Sequence, residues 1–200
     1  GRTLEEYRRF FGLDLEKLRG KRVLDVASGV SSFCAEANAL GISVTACDPI
    51  YELAADVIEP RCIHDLDLVT SRIAGTTTYK WDFYGDPIRL RGFRERAYTG
   101  FLADYRRNPL ARYVAGAFPR LPLETDSYDL ALVSYLLFAY QEQFDYDFHK
   151  RAILELMRVT RGEARLYPVV TFEAIESTYI QQLASDPELT HLTFDEVPTD

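Results

Sequence analysis

Lys21-Arg22-Val23-Leu24-Asp25-Val26-Ala27-Ser28-Gly29-Val30-Ser31-Ser32-Phe33 opens the stretch that decides the fold, and Val44-Thr45-Ala46-Cys47-Asp48-Pro49 closes it. Val23 to Val26 is a short apolar run with β-branched residues, interrupted only by Asp25, as in a buried parallel strand. Small residues at 27, 28, 29, 31 and 32 let the backbone turn sharply and approach a ligand closely. Residues 33–40 have helical spacing and end at Gly41, a C-cap residue. Val44 to Cys47 is a second apolar strand that stops at Asp48. Strand, small-residue turn, helix, strand and acid make half of a nucleotide-binding βαβ unit.

Each part has a physical use. A helix starting near Ser31 directs unpaired N–H groups at the turn, which suits a carboxylate or a phosphate. Asp25 can fix the loop or hold a ligand ammonium. Asp48, 23 positions later, can accept hydrogen bonds from ribose hydroxyls.

The run from Val23 to Phe33 resembles the first motif of the class I S-adenosylmethionine (SAM)-dependent methyltransferases, in which an acid precedes a glycine-rich loop. Asp48 matches the ribose-binding acid at the end of that family's second strand. Gly116 to Ser134 resembles its third and fourth strand region, and Glu155 to Gly162 the helix and glycine turn before its fifth strand. The resemblance spans about residues 20–170 and points to a bacterial subgroup. It implies an α/β fold with a doubly wound, mostly parallel sheet in a single domain over residues 1–200. It also implies SAM as methyl donor and S-adenosylhomocysteine as product. Cofactor contacts are expected from Asp25, Ala27, Ser28, Gly29, Ser31, Asp48, Pro49, Ala117, Phe118, Ser134 and Tyr135, with no metal.

The chain departs from the pattern in places. Two loop glycines are Ala27 and Ser31 here; Ala27 is expected to fit without a positive φ, and Ser31 to cap the helix. Gly116-Ala117-Phe118 stands where the family often has an acid, which moves adenine contact to backbone groups and the Phe118 ring. Ser134-Tyr135-Leu136-Leu137 replaces the Asn/Asp-Pro-Pro-aromatic motif of the base-methylating enzymes and argues against base N-methylation. The family's closing seventh strand has no room before Asp200; either the natural chain continues past Asp200, the preferred expectation, or that edge strand is missing.

At 200 residues and 47% hydrophobic content the chain is long and apolar enough for one domain with a sizeable core. No run approaches a membrane span, and Arg2 to Phe11 is charged and helical rather than a secretory signal. A net charge of −8 weakens a nucleic-acid role. Cys34, Cys47 and Cys62 lack metal spacing and read as structural thiols of a cytoplasmic protein.

Along the chain, Leu4, Tyr7, Phe10, Phe11, Leu15 and Leu18 predict N-terminal helices. Tyr51 to Ile58 predicts a helix stopped by Pro60, with another over His64 to Ile73. Residues 74–111, between the second and third strands, form an aromatic, arginine-rich insertion. It reads either as a lid over the acceptor pocket or as a helix with a core-facing stripe. Arg89, Arg91, Arg94, Arg96, Arg106, Arg107 and Arg112 could receive an anionic substrate or RNA, or form a solvated helix face. A third strand is expected at Tyr113–Ala115, a fourth at Leu130–Val133, a fifth at Glu163–Val170 and a sixth at Leu189–Val197, with a helix over Phe172–Leu183. His149, in the first turn of a helix, could act as general base or hold its loop. Tyr135 is the other candidate at the methyl, and Tyr135 or Trp81 could face the sulfonium.

The expected activity is methyl transfer from SAM to a small-molecule acceptor, an anionic one if the arginines receive it. A SAM- or nucleotide-binding regulatory module without turnover is the alternative. An NAD-dependent oxidoreductase fits less well, because Ala27-x-Gly29-x-x-Ser32 keeps one glycine of the dinucleotide fingerprint.

Overall fold

The computed structural model describes residues 1–73 and 81–197, with the side chains of all but 69–73. Strands β1 (Arg22–Val26), β2 (Ser43–Cys47), β3 (Tyr113–Val114), β4 (Tyr128–Ser134) and β5 (Thr160–Tyr167) form one sheet in the order β3-β2-β1-β4-β5. Every pairing is parallel. Helices α1 (Leu4–Phe10), α2 (Phe33–Ala39), α3 (Ala55–Ile73), α4 (Pro87–Arg107), α5 (Pro109–Arg112), α6 (Tyr146–Val159) and α7 (Tyr179–Ser185) accompany it. The sheet is doubly wound, as the sequence predicts.

Alternation along the strands divides the core. Val23, Val44, Ala46, Leu130 and Leu132 pack with residues of α1 to α4, whereas Leu24, Val26, Ala131 and Val133 pack with those of α6 and α7. Both faces are covered, so β1 and β4 are apolar almost throughout. Helix α1 is set by a capping box: Glu6 N donates to Thr3 Oγ1, and Thr3 N donates to Glu6 Oε2 at 2.8 Å.

The structure corrects several boundaries. Pro60 does not stop α3 but lies inside it, joining the two expected helices into one. Its ring removes a backbone donor, yet Ile58, Cys62 and Leu66, spaced four apart, are all buried. That inward stripe outweighs the break. Strand β5 starts at Thr160 and ends at Tyr167, and the following helix covers only Tyr179–Ser185. Residues 169–177 instead make an irregular hairpin with a Val170–Glu176 bridge. The expected sixth strand is absent: a 3-10 turn over Pro187–Leu189, capped by Asp186, buries Leu189, and no strand follows among the described residues.

In the insertion, residues 74–80 lie outside the described residues. The rest is dominated by α4, capped by Asp86 with Pro87 in its first turn. Its stripe of Leu90, Phe93, Ala97, Phe101, Leu102 and Tyr105 is buried. Phe101, Leu102 and Tyr105 belong to the main core, which is the core-facing reading of the two. Trp81 packs against the Tyr84–Leu90–Phe93 cluster.

The β4–β5 register shifts between Tyr128 and Leu130, and a Cβ on Gly162 would overlap the Asp129 carbonyl oxygen. Gly162→Ala must therefore push the two strands apart, at a cost of about 1–3 kcal/mol. Urea unfolding measures it; an unchanged midpoint would show that β5 relaxes freely there.

Candidate functional site

In an open parallel sheet, ligands bind beyond the carboxyl ends of the strands where the strand order reverses. Here that place lies between β1 and β4, because β2 and β3 run off one side of β1 and β5 off the far side of β4. Four buried polar side chains converge there. Tyr7 Oη donates to Asp25 at 2.9 and 3.1 Å, Ser28 Oγ donates to Asp25 Oδ2 at 2.6 Å, and Ser134 Oγ lies 3.2 Å from Tyr7 Oη. With the Tyr7 proton engaged by Asp25, Ser134 is the donor to Tyr7. Sequence reading placed Tyr7 in a packing stripe. Its aromatic ring does stack on Phe33, with centroids 4.3 Å apart, so only the tertiary fold shows where the hydroxyl points.

Asp25 is wholly buried, and burial pushes its pKa up to about 7 despite the hydrogen bonds from Ser28 and Tyr7. No cationic side chain touches it among the described residues. Tyr7 is raised well above the ordinary phenol value, first by burial and then by Asp25.

The turn itself is strained. Ala27 has φ 56° and Gly29 φ 54°, so the expectation that Ala27 would avoid a positive φ is wrong. The reason is the double hold of Cys47 O on Ala27 N at 2.9 Å and Ser28 N at 3.4 Å, which forces the left-handed bend. Tyr135, directly after β4, also has φ 52°, its N–H bonded to Tyr167 O at 2.6 Å. A bulky residue in this region is an outlier of the kind that gathers at functional sites.

Asp48 accepts from Gly29 N and Ile50 N, both at 2.9 Å, and Tyr51 Oη donates to Gly29 O at 2.7 Å. Burial raises the Asp48 pKa, opposed by those two backbone donors. A carboxylate has about four lone-pair sites, so Asp48 keeps acceptor capacity. A Cβ built on Gly29 would meet nothing nearer than Asp48 Oδ2 at 4.0 Å, which leaves room above the turn.

The chain from Gly1 to Thr3 lies directly against this turn, with Gly1 packed on the Val30 carbonyl. Arg2 N donates to Ser31 Oγ and Ser32 N donates to Arg2 O, each at 3.0 Å. The Arg2 guanidinium sits 4.3 Å from the Tyr135 ring centre. Ser31 thus binds Arg2, and the residue before α2 is Ser32, whose side chain makes no capping bond to the helix backbone. That corrects the expected Ser31 cap.

The structure brings Asp25, Ala27, Ser28, Gly29, Ser31, Asp48, Ser134 and Tyr135 to one end of the sheet. Pro49 begins the 3-10 turn that Asp48 caps. Ala117 is exposed, while Phe118 packs on the opposite core with Leu121 and Leu137. His149 is not in the cluster. It is fully buried between Phe138 and Tyr179 on the α6 face, with Nδ1 2.8 Å from Asp145 O. That contact is the loop-holding one, and it lies on the α6 face of the sheet rather than among the side chains around Asp25.

The arginines of the insertion are largely engaged by the protein's own carboxylates. Arg91 pairs with Asp67 and Glu95, Arg94 with Glu6, Arg106 with Asp56 and Glu59, and Arg112 with Asp104. Arg96 lies over Phe93. These pairs fasten α4 to α1, α3 and α5. Cys34, Cys47 and Cys62 are free and buried, and burial pushes the first two thiols up to about 12.

Fold and site together define an open, doubly wound parallel α/β protein with a buried carboxylate at its strand-order reversal. No family model matches the chain. It is 35% identical over 188 residues to the uncharacterized protein MJ0045 of Methanocaldococcus jannaschii, covering 93% of this chain and 84% of that one. The chain belongs to the MJ0045 family. That relative is archaeal, whereas the sequence resemblance points to a bacterial subgroup. Two solved structures are also similar. One is a SAM-dependent methyltransferase from Aquifex aeolicus, at 16% identity and a TM-score of 0.38, covering 80% of this chain. The other is a candidate S-adenosyl-L-methionine-dependent methyltransferase from Methanococcus maripaludis, at 14% and 0.40, covering 94%. The chain spans 64% of the length of each. Among the described residues no helix is long and apolar enough to cross a membrane.

Proposed function

We propose that the site binds S-adenosylmethionine and that the protein transfers its methyl group to an acceptor, a small molecule in our reading. The observation that carries this is Asp25: a buried carboxylate at the strand-order reversal, with hydroxyl donors but no cationic side chain among the described residues, beside a turn whose Gly29 is uncrowded. SAM, when bound, supplies an ammonium, a ribose diol and an electrophilic methyl. Asp25 would pair with the ammonium, and Asp48 would accept from the ribose hydroxyls. Ser134 and Tyr135, at the end of β4, would flank the reacting centre. The segment at Arg2 would have to shift or share the turn with the ligand. Alignment of donor and acceptor alone can supply about 7–11 kcal/mol of a barrier, so the scheme needs no dedicated base.

A second reading, a SAM-binding module without turnover, is favoured by the position of His149, whose contacts are Phe138, Tyr179 and Asp145 rather than the cluster at Asp25. Isothermal titration with SAM and with NAD tests the cofactor. SAM is expected to bind and Asp48→Ala to weaken it by about 1–3 kcal/mol through lost hydrogen bonds. Tight NAD binding with no SAM signal would overturn the reading. Incorporation of labelled methyl into candidate metabolites then separates enzyme from binder.

A further inference from the structure

All 23 lysines and arginines lie between Arg2 and Arg165; the residues beyond carry seven carboxylates and no Lys or Arg. The first 165 residues are nearly neutral, with 23 basic against 24 acidic side chains, so the last 35 hold seven of the eight net charges. No Lys or Arg stands between Arg120 and Lys150 either. The fold joins these two base-free regions. The loop after β4 and the hairpin after β5 meet where Tyr140 and Phe172 touch edge-on, ring centres 4.7 Å apart, and where Ser177 Oγ donates to Gln141 Oε1 at 2.6 Å.

This acidic face is also apolar. Phe172 is 59% exposed, Ile175 63%, Val169 43% and Tyr140 37%. Leaving four large apolar side chains in water on one short hairpin and its neighbouring loop marks an interaction surface. Glu142, Glu173 and Glu176 are exposed around them, and none pairs with a basic side chain among the described residues. Ala174 has φ 60° in a turn closed by Thr171 N–H donating to Ile175 O at 2.8 Å and Ser177 N–H to Val169 O at 3.1 Å.

We propose that this face docks a polypeptide segment in which lysine or arginine flanks a large apolar side chain. Charge selects the partner. Phosphate-bearing nucleic acid, an anionic lipid surface and a second copy of this face would all be repelled by the three glutamates. A basic segment is drawn in, with its apolar side chain covering Phe172 and Ile175. The face follows β4 and β5 at the same end of the sheet as Ser134 and Tyr135 but shares no residue with the turn at Gly29, and its test reads peptide binding without SAM.

The probe is a labelled synthetic amphipathic peptide of lysine and leucine with one tryptophan, alongside its glutamate–leucine counterpart. Both are titrated with the full chain and followed by fluorescence anisotropy. The lysine peptide should bind, more weakly as salt rises, and the glutamate peptide should not. Charge reversal at Glu142→Lys, Glu173→Lys and Glu176→Lys together should weaken binding about tenfold or more. Phe172→Ser with Ile175→Ser should do the same at unchanged salt dependence. Far-UV circular dichroism checks that each exposed-site variant is folded. Equal binding of the two peptides, or unchanged affinity in both variants, would overturn the proposal. So would a dimer, seen by sedimentation, that Phe172→Ser dissolves, since the face would then belong to a second copy.

Discussion

Asp25→Asn is expected to stabilise the ligand-free protein at pH 8 and to change it little at pH 4. The folded pKa of Asp25 is about 7 against an ordinary 3.8, raised chiefly by burial. A carboxyl whose pKa rises on folding holds its proton more tightly in the native state, so stability falls as pH climbs between the two values. Below 3.8 the penalty is absent; above about 7 it is complete. At about 1.4 kcal/mol per pKa unit the full penalty is about 4 kcal/mol. Urea melts of both proteins at pH 4 and pH 8 should therefore give stability differences that diverge by that order. Parallel profiles would show that the carboxyl ionises at no cost. The sign also bears on binding: a ligand ammonium that pairs with Asp25 lowers its pKa. Affinity for such a ligand should tighten as pH rises towards 7, where the unliganded protein is weakest.

The second large effect is expected at Arg94. Glu6 is completely buried. Burial would raise its pKa, but Arg94, then Arg2 and the Tyr84 hydroxyl, hold it below the usual carboxylate range. Arg94 Nη1 lies 2.7 Å from Glu6 Oε1, and Tyr84 Oη donates to the same oxygen at 2.5 Å. Arg94→Met leaves that charge buried with only Arg2, 3.7 Å away, to face it, and should cost about 3 kcal/mol at pH 7. Adding Glu6→Gln should recover part of the loss, because the stranded charge is then gone. Denaturation of the two single variants and the double variant measures the coupling. A loss below about 1 kcal/mol for Arg94→Met would mean that water reaches Glu6. Since α1 carries both Glu6 and Tyr7, the same pair fixes the hydroxyl that reaches Asp25 and Ser134.

These two networks mark where sequence reading stops. The β1–turn–α2–β2 unit was legible because its signals are local: β-branched runs, small residues, and an acid at the expected distance. Ala27 was misjudged because its positive φ is imposed by Cys47 O, an acceptor 20 positions away. Arg94 looked like one of seven loose cations because Glu6, 88 residues earlier, gives no sign in sequence that it will be buried. His149 had the right chain position for a base, and only packing by Phe138 and Tyr179 shows that it faces inward. The sixth strand failed for a related reason. Apolar alternation near Leu192 and Phe194 satisfies a strand pattern, but Leu189 already fills the core from a 3-10 turn.

Strand β1 sits mid-sheet, and its two neighbours arrive at very different moments of synthesis. Leu24 pairs with Thr45, 21 residues on, but its other side waits for Ala131, 107 residues on. A nascent chain thus carries an apolar, half-laddered ribbon through the making of α3, α4 and everything between. Such a chain is slow to close its longest loop, and the unfinished ribbon is open to strangers in the meantime. Overproduction should be limited by crowding of these half-built intermediates more than by any weakness of the finished molecule.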